Sequence, residues 1–458
     1  MFSRLMTGLR AFVLALALWR CARLQAAAPT KQLVILITID GLAASYLADP
    51  QAPLPTLRTL ATEGAAAEGM RVSDPTVTWP NHTTLVTGVH PDKHSVLFNG
   101  RLSRPGAGQP VKLDGERDKS DLVAVPTLYD QLHLAGYRTA NINWPCTRRA
   151  RTLDDNFPDV PNPITYTTPR LRAELIRDGI LASNNEAAFR AKGAAAADQT
   201  WTAAAVHLIH SRPPNLLLLH LLVTDTIQHQ HGPQSTAAYT AAALADAHVA
   251  EVLRSVDAAG LREHTTVFVT SDHGFARPEK LISPNVVFRK AGLHRPGPRR
   301  RAEALSEGGT AFVYLTNPAT LAEDRAQVIE LLRPHEGIAE ILQPESFAAL
   351  HLPRPENNPQ MGDLLLVAKD GYAFSNEAFD DESMVEVNFA AGSHGYLASN
   401  PQMNGVFIAW GRGIKSGAQL GMIDNIDVAP TIAELFGQKL PGAEGKILRE
   451  ILTGATER

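Results

Sequence analysis

Carboxylate and imidazole side chains occur at spacings that could bring them together around a metal ion. Asp225 and His229 stand four residues apart, so on a helix both would lie on one face. Asp272 and His273 are adjacent. His394 lies in the segment GSHGY, where the flanking glycines allow the backbone to approach closely. Mixed ligands of this kind favour Zn²⁺, with Mn²⁺ and Fe as alternatives, so these residues predict a transition-metal site.

Three apolar segments predict the strands that would position these residues: Leu33–Ile39, Leu216–Val223 and Thr265–Thr270. Segments that are apolar on both faces are typical of buried parallel strands covered by helices. Between the second and third strands, apolar residues recur at helical spacing over Thr236–Ala259. A strand, a helix and a strand in this order predict an α/β sheet with crossover helices.

Each predicted strand is followed or closed by an aspartate, namely Asp40, Asp225 and Asp272. In open α/β sheets, ligands bind at the carboxyl ends of the strands, so we expect the three carboxylates to converge on one site. A single histidine is more often a core or capping residue than a metal ligand. The histidines that lack this placement are predicted to be structural, and they are His82, His90, His94, His220 and His231.

Thr78 stands near a predicted helix start. Pro80 suits the first turn of a helix, which places Thr78 just before the N-terminus. The exposed N–H groups and the helix dipole favour phosphate there. A threonine hydroxyl becomes a good nucleophile only when it is deprotonated, for example through metal coordination. The alternative role for this residue is an ordinary helix cap.

Six motifs together resemble the nucleotide pyrophosphatase/phosphodiesterase family of the alkaline phosphatase superfamily. They occur in the family's order and span about residues 33–450. The motifs are Asp40-Gly41, Thr78–His82 running on to Thr87-Gly88, Asp225 and His229 before Gly232-Pro233, Ser271–Gly274, Gly392–Gly395, and Asp427–Thr431.

The resemblance implies an alkaline-phosphatase-like α/β fold, with a central, mostly parallel sheet flanked by helices. It also implies two Zn²⁺ per chain, which can stabilise the entering and leaving oxygens of an in-line displacement. One ion would be held by Asp225, His229 and His394, and the other by Asp40, Thr78, Asp272 and His273. The implied enzyme hydrolyses phosphate diesters or pyrophosphates, as small molecules or nucleotides, through a covalent phosphothreonine on Thr78.

Asn99 occupies the place where the family carries an asparagine that hydrogen-bonds the phosphate. Its side-chain amide could stabilise charge on a nonbridging oxygen. The alternative is a turn, because Asn99-Gly100 is a strong turn dipeptide, and such a turn could itself present the side chain.

Two features depart from the family pattern. The sequence after Asn99 lacks the Met-Tyr-Asp continuation of close relatives, and Cys146 stands where relatives tend to have glycine. Cys146 lies far from any aspartate at a strand end, so we predict that it is structural. With Cys21 in the N-terminal segment, Cys146 has no partner for a disulfide within the mature chain.

The N-terminal segment is typical of a secretory signal peptide, predicted over residues 1–28. Arg4 and Arg10 precede an apolar run, Ala11–Trp19, and Ala26–Ala28 offers a small-residue cleavage site. The run is too short to span a bilayer comfortably, which leaves a retained interfacial anchor as the alternative. We therefore expect an exported protein, periplasmic or secreted, with a catalytic domain over residues 29–458 and no stable membrane insertion.

The net charge of the chain indicates which class of substrate to expect. The formal net charge of −4 gives no basic field for nonspecific binding of nucleic acid, so the expected substrate is a small phosphate compound. Residues 276–390 carry their own apolar segments and are predicted to form a smaller α+β insertion that shapes the pocket.

Two other functions stay open. One is a phosphomonoesterase or phosphonate hydrolase of the same superfamily, and the other is a non-catalytic exported binding protein. The motifs do not distinguish nucleotide, phosphocholine lipid or other leaving groups, and they set no oligomeric state.

Overall fold

The computed structural model describes residues 31–104, 106, 108–295, 297–376, 382–386 and 391–454. The predicted signal peptide, residues 1–28, lies outside the described residues. Among the described helices, none combines the length and the apolar character that crossing a membrane would require.

The strands of the described residues are short to medium in length. They are β1 (Leu33–Ile39), β2 (Ala65–Arg71), β3 (Arg101–Ser103), β4 (Lys112–Asp114), β5 (Thr139–Ile142), β6 (Asp155–Phe157), β7 (Leu216–Leu221), β8 (Thr265–Thr270), β9 (Lys280–Ile282), β10 (Ala302–Ser306), β11 (Thr310–Leu315), β12 (Ile338–Leu342), β13 (Leu364–Ala368), β14 (Tyr372–Phe374), β15 (Met384–Glu386), β16 (Phe407–Gly411) and β17 (Ala418–Asp424).

The α-helices of the same residues connect and cover these strands. They are α1 (Ser45–Ala48), α2 (Pro55–Glu63), α3 (Thr78–Thr87), α4 (Pro91–His94), α5 (Lys119–Leu122), α6 (Leu128–Leu134), α7 (Pro163–Tyr166), α8 (Pro169–Arg177), α9 (Glu186–Arg190), α10 (Ala194–Ser211), α11 (Val223–His231), α12 (Thr236–Ala258), α13 (Pro284–Lys290), α14 (Leu321–Leu332) and α15 (Val428–Leu435).

An eight-stranded sheet in the order β17-β2-β16-β8-β1-β7-β5-β6 forms the centre of the fold. Its neighbouring strands are parallel except at β16, which is antiparallel to both β2 and β8. The side chains of β1 alternate between two apolar clusters, so that Val34 and Leu36 enter one cluster and Leu33, Ile35 and Ile37 the other. Helices α3, α6 and α15 contribute to the first cluster, and α2, α10 and α12 to the second. The predicted mostly parallel sheet between helices is confirmed.

The bounds of β1 and β8 agree with the prediction, and α12 ends one residue earlier than predicted. Strand β7 is shorter than predicted, because Leu222 adopts helical dihedral angles (φ −106°, ψ −21°) and the chain continues directly into α11. The expectation that Asp225 closes a strand is therefore wrong, because Asp225 lies in the first turn of α11.

A second, four-stranded antiparallel sheet has the order β10-β11-β13-β12, and a third sheet has the order β14-β9-β15. Both lie within residues 276–390, where the sequence predicts an insertion, and the division into subdomains stays a prediction. The Gly- and Pro-rich segment after Asn99 contains a hairpin, β3 and β4, that the sequence analysis did not predict.

Candidate metal centre

The inner part of the site lies at the carboxyl ends of the adjacent parallel strands β1 and β8. Asp40 directly follows β1, and Asp272 and His273 follow β8, so the strand register brings all three together. His273 Nε2 lies 3.3 Å from Asp40 Oδ1 and 3.4 Å from Asp272 Oδ2. We call Asp40, Asp272 and His273 the inner group. Each is at most 1% exposed.

The outer part of the site is built by α11 and a late loop. The spacing of four along α11 brings His229 Nε2 to 3.3 Å from Asp225 Oδ1, and His394 Nε2 lies 3.7 Å from the same oxygen. We call Asp225, His229 and His394 the outer group, and one ligand atom from each lies within 4.8 Å of the others.

The two groups are continuous. Ligand atoms of Asp225, Asp40 and His273 also lie within 4.8 Å of one another, so Asp225 stands between the outer and inner groups. The resemblance assigns Asp225 to one ion only, whereas the geometry places its carboxylate close to residues of both groups. The structure thus brings together the predicted carboxylate and histidine ligands at one edge of the sheet.

Backbone carbonyls orient the three histidines. Nδ1 of His229 lies 3.2 Å from Gly392 O, Nδ1 of His273 3.1 Å from Gly274 O, and Nδ1 of His394 3.1 Å from Thr76 O. Because a carbonyl only accepts, each Nδ1 carries the proton and donates it. In the neutral form of each ring, Nε2 is then the nitrogen with the lone pair, as in histidine metal ligands.

The carboxylates of the inner group are buried close to one another. Burial raises the pKa of Asp40 well above its usual value, and the nearby Asp272 and Asp225 raise it further. Neither Asp40 oxygen has a hydrogen-bond partner among the described residues, and Asp272 Oδ2 has none either. Buried carboxylates without partners are costly, and a bound cation would offset that cost.

Glycines allow the outer loop to approach α11 and its neighbours. A Cβ atom at Gly392 would lie 2.5 Å from Gln228 O, and one at Gly395 would lie 1.9 Å from Glu307 O. Gly395 also has φ +75°, which favours glycine. The predicted close approach of this segment is therefore present.

Thr78 is the first residue of α3, whereas the prediction placed it just before the helix. Val77, which precedes it, is extended. Its immediate neighbours in the chain connect it to both groups. Thr76 O accepts the hydrogen bond from His394, and His82 Nδ1 donates to Thr78 O at 2.9 Å and lies 3.5 Å from Asp272 Oδ2. The residues on either side of Thr78 therefore contact the outer and the inner group, and 8% of the Thr78 surface is exposed.

Asn99 is anchored to the start of α3. Its Oδ1 accepts the backbone N–H of Trp79 at 2.8 Å, so its Nδ2–H₂ donors point to the other side of the amide. The two readings of Asn99-Gly100 are therefore compatible, because a bend in the chain presents the side chain to the first turn of α3.

Two histidines that the sequence analysis left as structural lie directly behind the inner group. His220 Nε2 is 3.3 Å from Asp40 Oδ2, and His82 Nε2 is 3.0 Å from His220 Nδ1. Thr38 Oγ1 lies within hydrogen-bond distance of both rings. Burial lowers the pKa of His82 and of His220 to about 3, so both are neutral. In the sequence, the indications of this placement are that His82 belongs to the Thr78 motif and that His220 lies within the predicted strand now seen as β7.

The other histidines and Cys146 lie elsewhere. His94 is buried against Thr84 Oγ1, His90 stacks on the ring of His351, and His231 is exposed. Cys146 is buried in an apolar cluster with Trp79, and burial raises the pKa of its thiol.

The fold is that of solved ectonucleotide pyrophosphatase/phosphodiesterases. Human ectonucleotide pyrophosphatase/phosphodiesterase 5 superposes with a TM-score of 0.71 at 18% identity, covering 92% of this chain and 100% of that one. An inactive form of the murine enzyme, in complex with AMP, gives a TM-score of 0.69 at 18% identity and covers 91% and 97%.

Sequence comparison identifies the family. Residues 34–397 match the sequence model of the type I phosphodiesterase / nucleotide pyrophosphatase family, and the chain belongs to that family. Ectonucleotide pyrophosphatase/phosphodiesterase family member 3 of Rattus norvegicus is 21% identical over 418 residues, covering 88% of this chain and 42% of the relative. Bis(5'-adenosyl)-triphosphatase ENPP4 of Bos taurus is 23% identical over 449 residues, covering 96% and 83%. The chain spans less than half the length of the first of these relatives.

Proposed function

We propose that the protein is an exported hydrolase of phosphate diesters or pyrophosphates that uses Thr78 as its nucleophile. The observation that carries the proposal is the convergence of the inner and outer groups at one sheet edge, with the start of α3 between them. Family membership supports the reaction class, and small phosphate diesters or nucleotides are the proposed substrates.

The residues fit two Zn²⁺. Asp40 Oδ1 and Oδ2, Asp272 Oδ2, Asp225 Oδ1 and His273 Nε2 are buried without hydrogen-bond partners among the described residues, and together they offer a mixed carboxylate and imidazole donor set. We propose that the outer group holds one ion and that the inner group with Thr78 holds the other. Bound there, two ions supply Lewis acidity that favours the deprotonated hydroxyl and neutralises charge on the leaving oxygen.

The chain's own residues then have distinct tasks. The Thr78 hydroxyl loses its proton to solvent, and its oxygen forms a bond to phosphorus while the bond from phosphorus to the leaving oxygen breaks. The leaving group departs as an oxyanion, which solvent protonates according to its pKa. Water later cleaves the resulting phosphothreonine. Asn99 Nδ2 donates to a nonbridging oxygen, and the N-terminus of α3 favours the negative charge there.

A pair of chromogenic substrates tests the reaction class. Zinc-reconstituted protein should hydrolyse bis-p-nitrophenyl phosphate with a kcat/KM at least about tenfold above that for p-nitrophenyl phosphate, because no arginine, the usual partner of a dianionic phosphate, is adjacent to Thr78 in the sequence. Preference for the monoester would replace the diester assignment with a phosphomonoesterase. No turnover together with less than one bound metal per chain would indicate a non-catalytic binding protein.

Export is proposed on two grounds. Residues 1–28 have the order of basic, apolar and small residues of a signal peptide. Several relatives are named as ectoenzymes or venom enzymes, such as the venom phosphodiesterase of Macrovipera lebetinus. N-terminal sequencing of the protein recovered outside the cytoplasm should begin near residue 29, and an intact Met1 would contradict cleavage.

A further inference from the structure

The helix that carries Asp225 and His229 of the outer group, α11, has no cap of its own. Strand β7 ends at Leu221 and α11 begins at Val223, so a single leucine, Leu222, separates them. A leucine side chain accepts no hydrogen bond, and the first N–H groups of a helix have no partner within that helix. Because Val223 is buried, these N–H groups need an acceptor from another element of the fold.

Asp198, in the second turn of α10, supplies that acceptor. Its Oδ1 accepts the N–H of Leu222 at 2.8 Å, and its Oδ2 accepts the N–H of Val223 at 3.0 Å. The residue is fully buried, and burial raises its pKa to about 7, although the two backbone donors lower it. A carboxylate is also favoured electrostatically at the N-terminus of a helix. Asp198 therefore fixes the first turn of α11, in which Asp225 lies.

Two other side chains attach α11 to the inner group. Thr224 Oγ1 donates to Asp40 O, and Gln228 Nε2 donates to Gly41 O at 2.9 Å. These bonds hold the helix against the end of β1, whereas the Asp198 bonds hold its start against α10. The Asp225 carboxylate follows the Asp198 contacts by two and three residues, so its position depends on both attachments.

We propose that Asp198 is a positioning residue of the outer metal site, which acts on the Asp225 carboxylate through the backbone of Leu222 and Val223. The inference rests on the proposed function, in which the outer group holds one Zn²⁺. Replacing a residue that orients a metal ligand typically lowers metal affinity by about ten- to a hundredfold.

Asp246 provides a matched control elsewhere in the fold. It lies in α12 and is 3% exposed. Its Oδ1 accepts the N–H of Leu57 at 2.9 Å, and its Oδ2 accepts the N–H of Thr56 at 3.1 Å, both at the start of α2. Neither α2 nor α12 carries a proposed metal ligand. Asp246→Asn therefore removes an equivalent helix cap without disturbing the helix of the outer group.

Zinc titration of the metal-free protein, in competition with chelators at pH 8, compares the two variants. Asp198→Asn keeps one acceptor oxygen and turns an amide N–H₂ group toward a backbone N–H, so the start of α11 loses a bond and gains a repulsive contact. We expect the affinity for the more weakly bound zinc ion to fall about tenfold or more, and that for the tighter ion to stay within about twofold. Asp246→Asn should leave both affinities within about twofold of wild type.

Hydrogen exchange of the zinc-free protein, followed by mass spectrometry, gives a readout that does not depend on metal. In Asp198→Asn, the amides of residues 222–231 should exchange at least about tenfold faster than in wild type, while those of residues 55–63 should not change. Asp246→Asn should show the reverse. Should Asp198→Asn fail to fold, Asp198→Ser takes its place and is compared with Asp246→Ser, because a serine hydroxyl can still accept one N–H.

The outcomes separate the inference from the proposed function. An unchanged affinity for the weaker zinc ion in Asp198→Asn overturns the inference, and so does unchanged exchange of residues 222–231. An equal loss of zinc affinity in both variants also overturns it, because general destabilisation would then explain the loss. In each of these cases, two zinc ions per wild-type chain leave the proposed function standing. If wild type binds less than one zinc ion per chain, the proposed function and this inference both fail.

Discussion

The inner and outer groups are built from the same kinds of side chain but differ in how the fold holds them. The inner group follows two neighbouring strands and is fully buried. In the outer group, the side chains of Asp225, His229 and His394 are 14%, 43% and 10% exposed. The strand register fixes the inner group, whereas a helix and a glycine-flanked loop position the outer group. If each group holds one ion as proposed, we expect the buried inner group to retain its ion longer than the more exposed outer group.

The largest expected loss of activity follows from replacing Thr78, the proposed nucleophile. Thr78→Ala should lower kcat for bis-p-nitrophenyl phosphate at least about a thousandfold, because the attacking oxygen is lost. Zinc content should remain near that of wild type, since the carboxylate and histidine ligands are unchanged. Thr78→Ser, which keeps a hydroxyl, is the matched control. Residual activity of Thr78→Ala within tenfold of wild type would exclude Thr78 as the nucleophile.

Metal removal should distinguish the groups next. With chelators of increasing strength, the zinc ion of the outer group should leave first, at one ion per chain. His394→Ala should lower the zinc affinity of the outer group alone, by about a hundredfold. The reason is that loss of a direct ligand affects the exposed site, while the inner group keeps all its donors. Competition titration and elemental analysis measure both quantities. Simultaneous release of two equivalents in wild type would contradict the distinction.

In the metal-free protein, removing one carboxylate charge should change the free energy of unfolding more in the inner group than in the outer group. Asp40→Asn should raise the free energy of unfolding by about 3 kcal/mol without zinc, because burial and the nearby Asp272 and Asp225 raise the pKa of Asp40 and disfavour its charged form. Asp225→Asn should have a smaller effect, since the hydrogen bond and charge of His229 lower the pKa of Asp225 despite its burial. Urea unfolding in EDTA measures both. Equal effects of the two variants would mean that burial does not distinguish the groups.

The smallest expected effect is on the pH dependence of stability, and it comes from His94, a buried histidine outside both groups. Because His94 is not a proposed metal ligand, this effect does not depend on bound metal. Burial lowers the pKa of His94 to about 3, below the value of about 6.5 in the unfolded chain. The unfolded chain therefore binds more protons, and this contribution to stability is complete above pH 6.5 and declines as the pH falls. Between pH 6.5 and 5, wild type in EDTA should lose about 2 kcal/mol more than His94→Gln. Parallel pH profiles would contradict the assignment.

The sequence predicted the inner group well, because Asp40 and Asp272 come directly after apolar runs whose register in a parallel sheet is well constrained. It predicted the side-chain spacing of Asp225 and His229 but not the early end of β7, since a short apolar run does not show where helical dihedral angles begin.

Other features could not be predicted from the sequence. His82 and His220 are buried beside Asp272 and Asp40, and the residue types around them in the sequence do not show that the fold brings them there. Only the folded chain brings these residues together.

Anomalous diffraction at the zinc edge from crystals of the zinc-reconstituted protein tests the central claim most directly. We expect two peaks about 3.5–4 Å apart, one against the outer group and one against the inner group, with Thr78 Oγ1 directed between them. A single peak, or two peaks with the Thr78 hydroxyl turned away from both, would contradict the account.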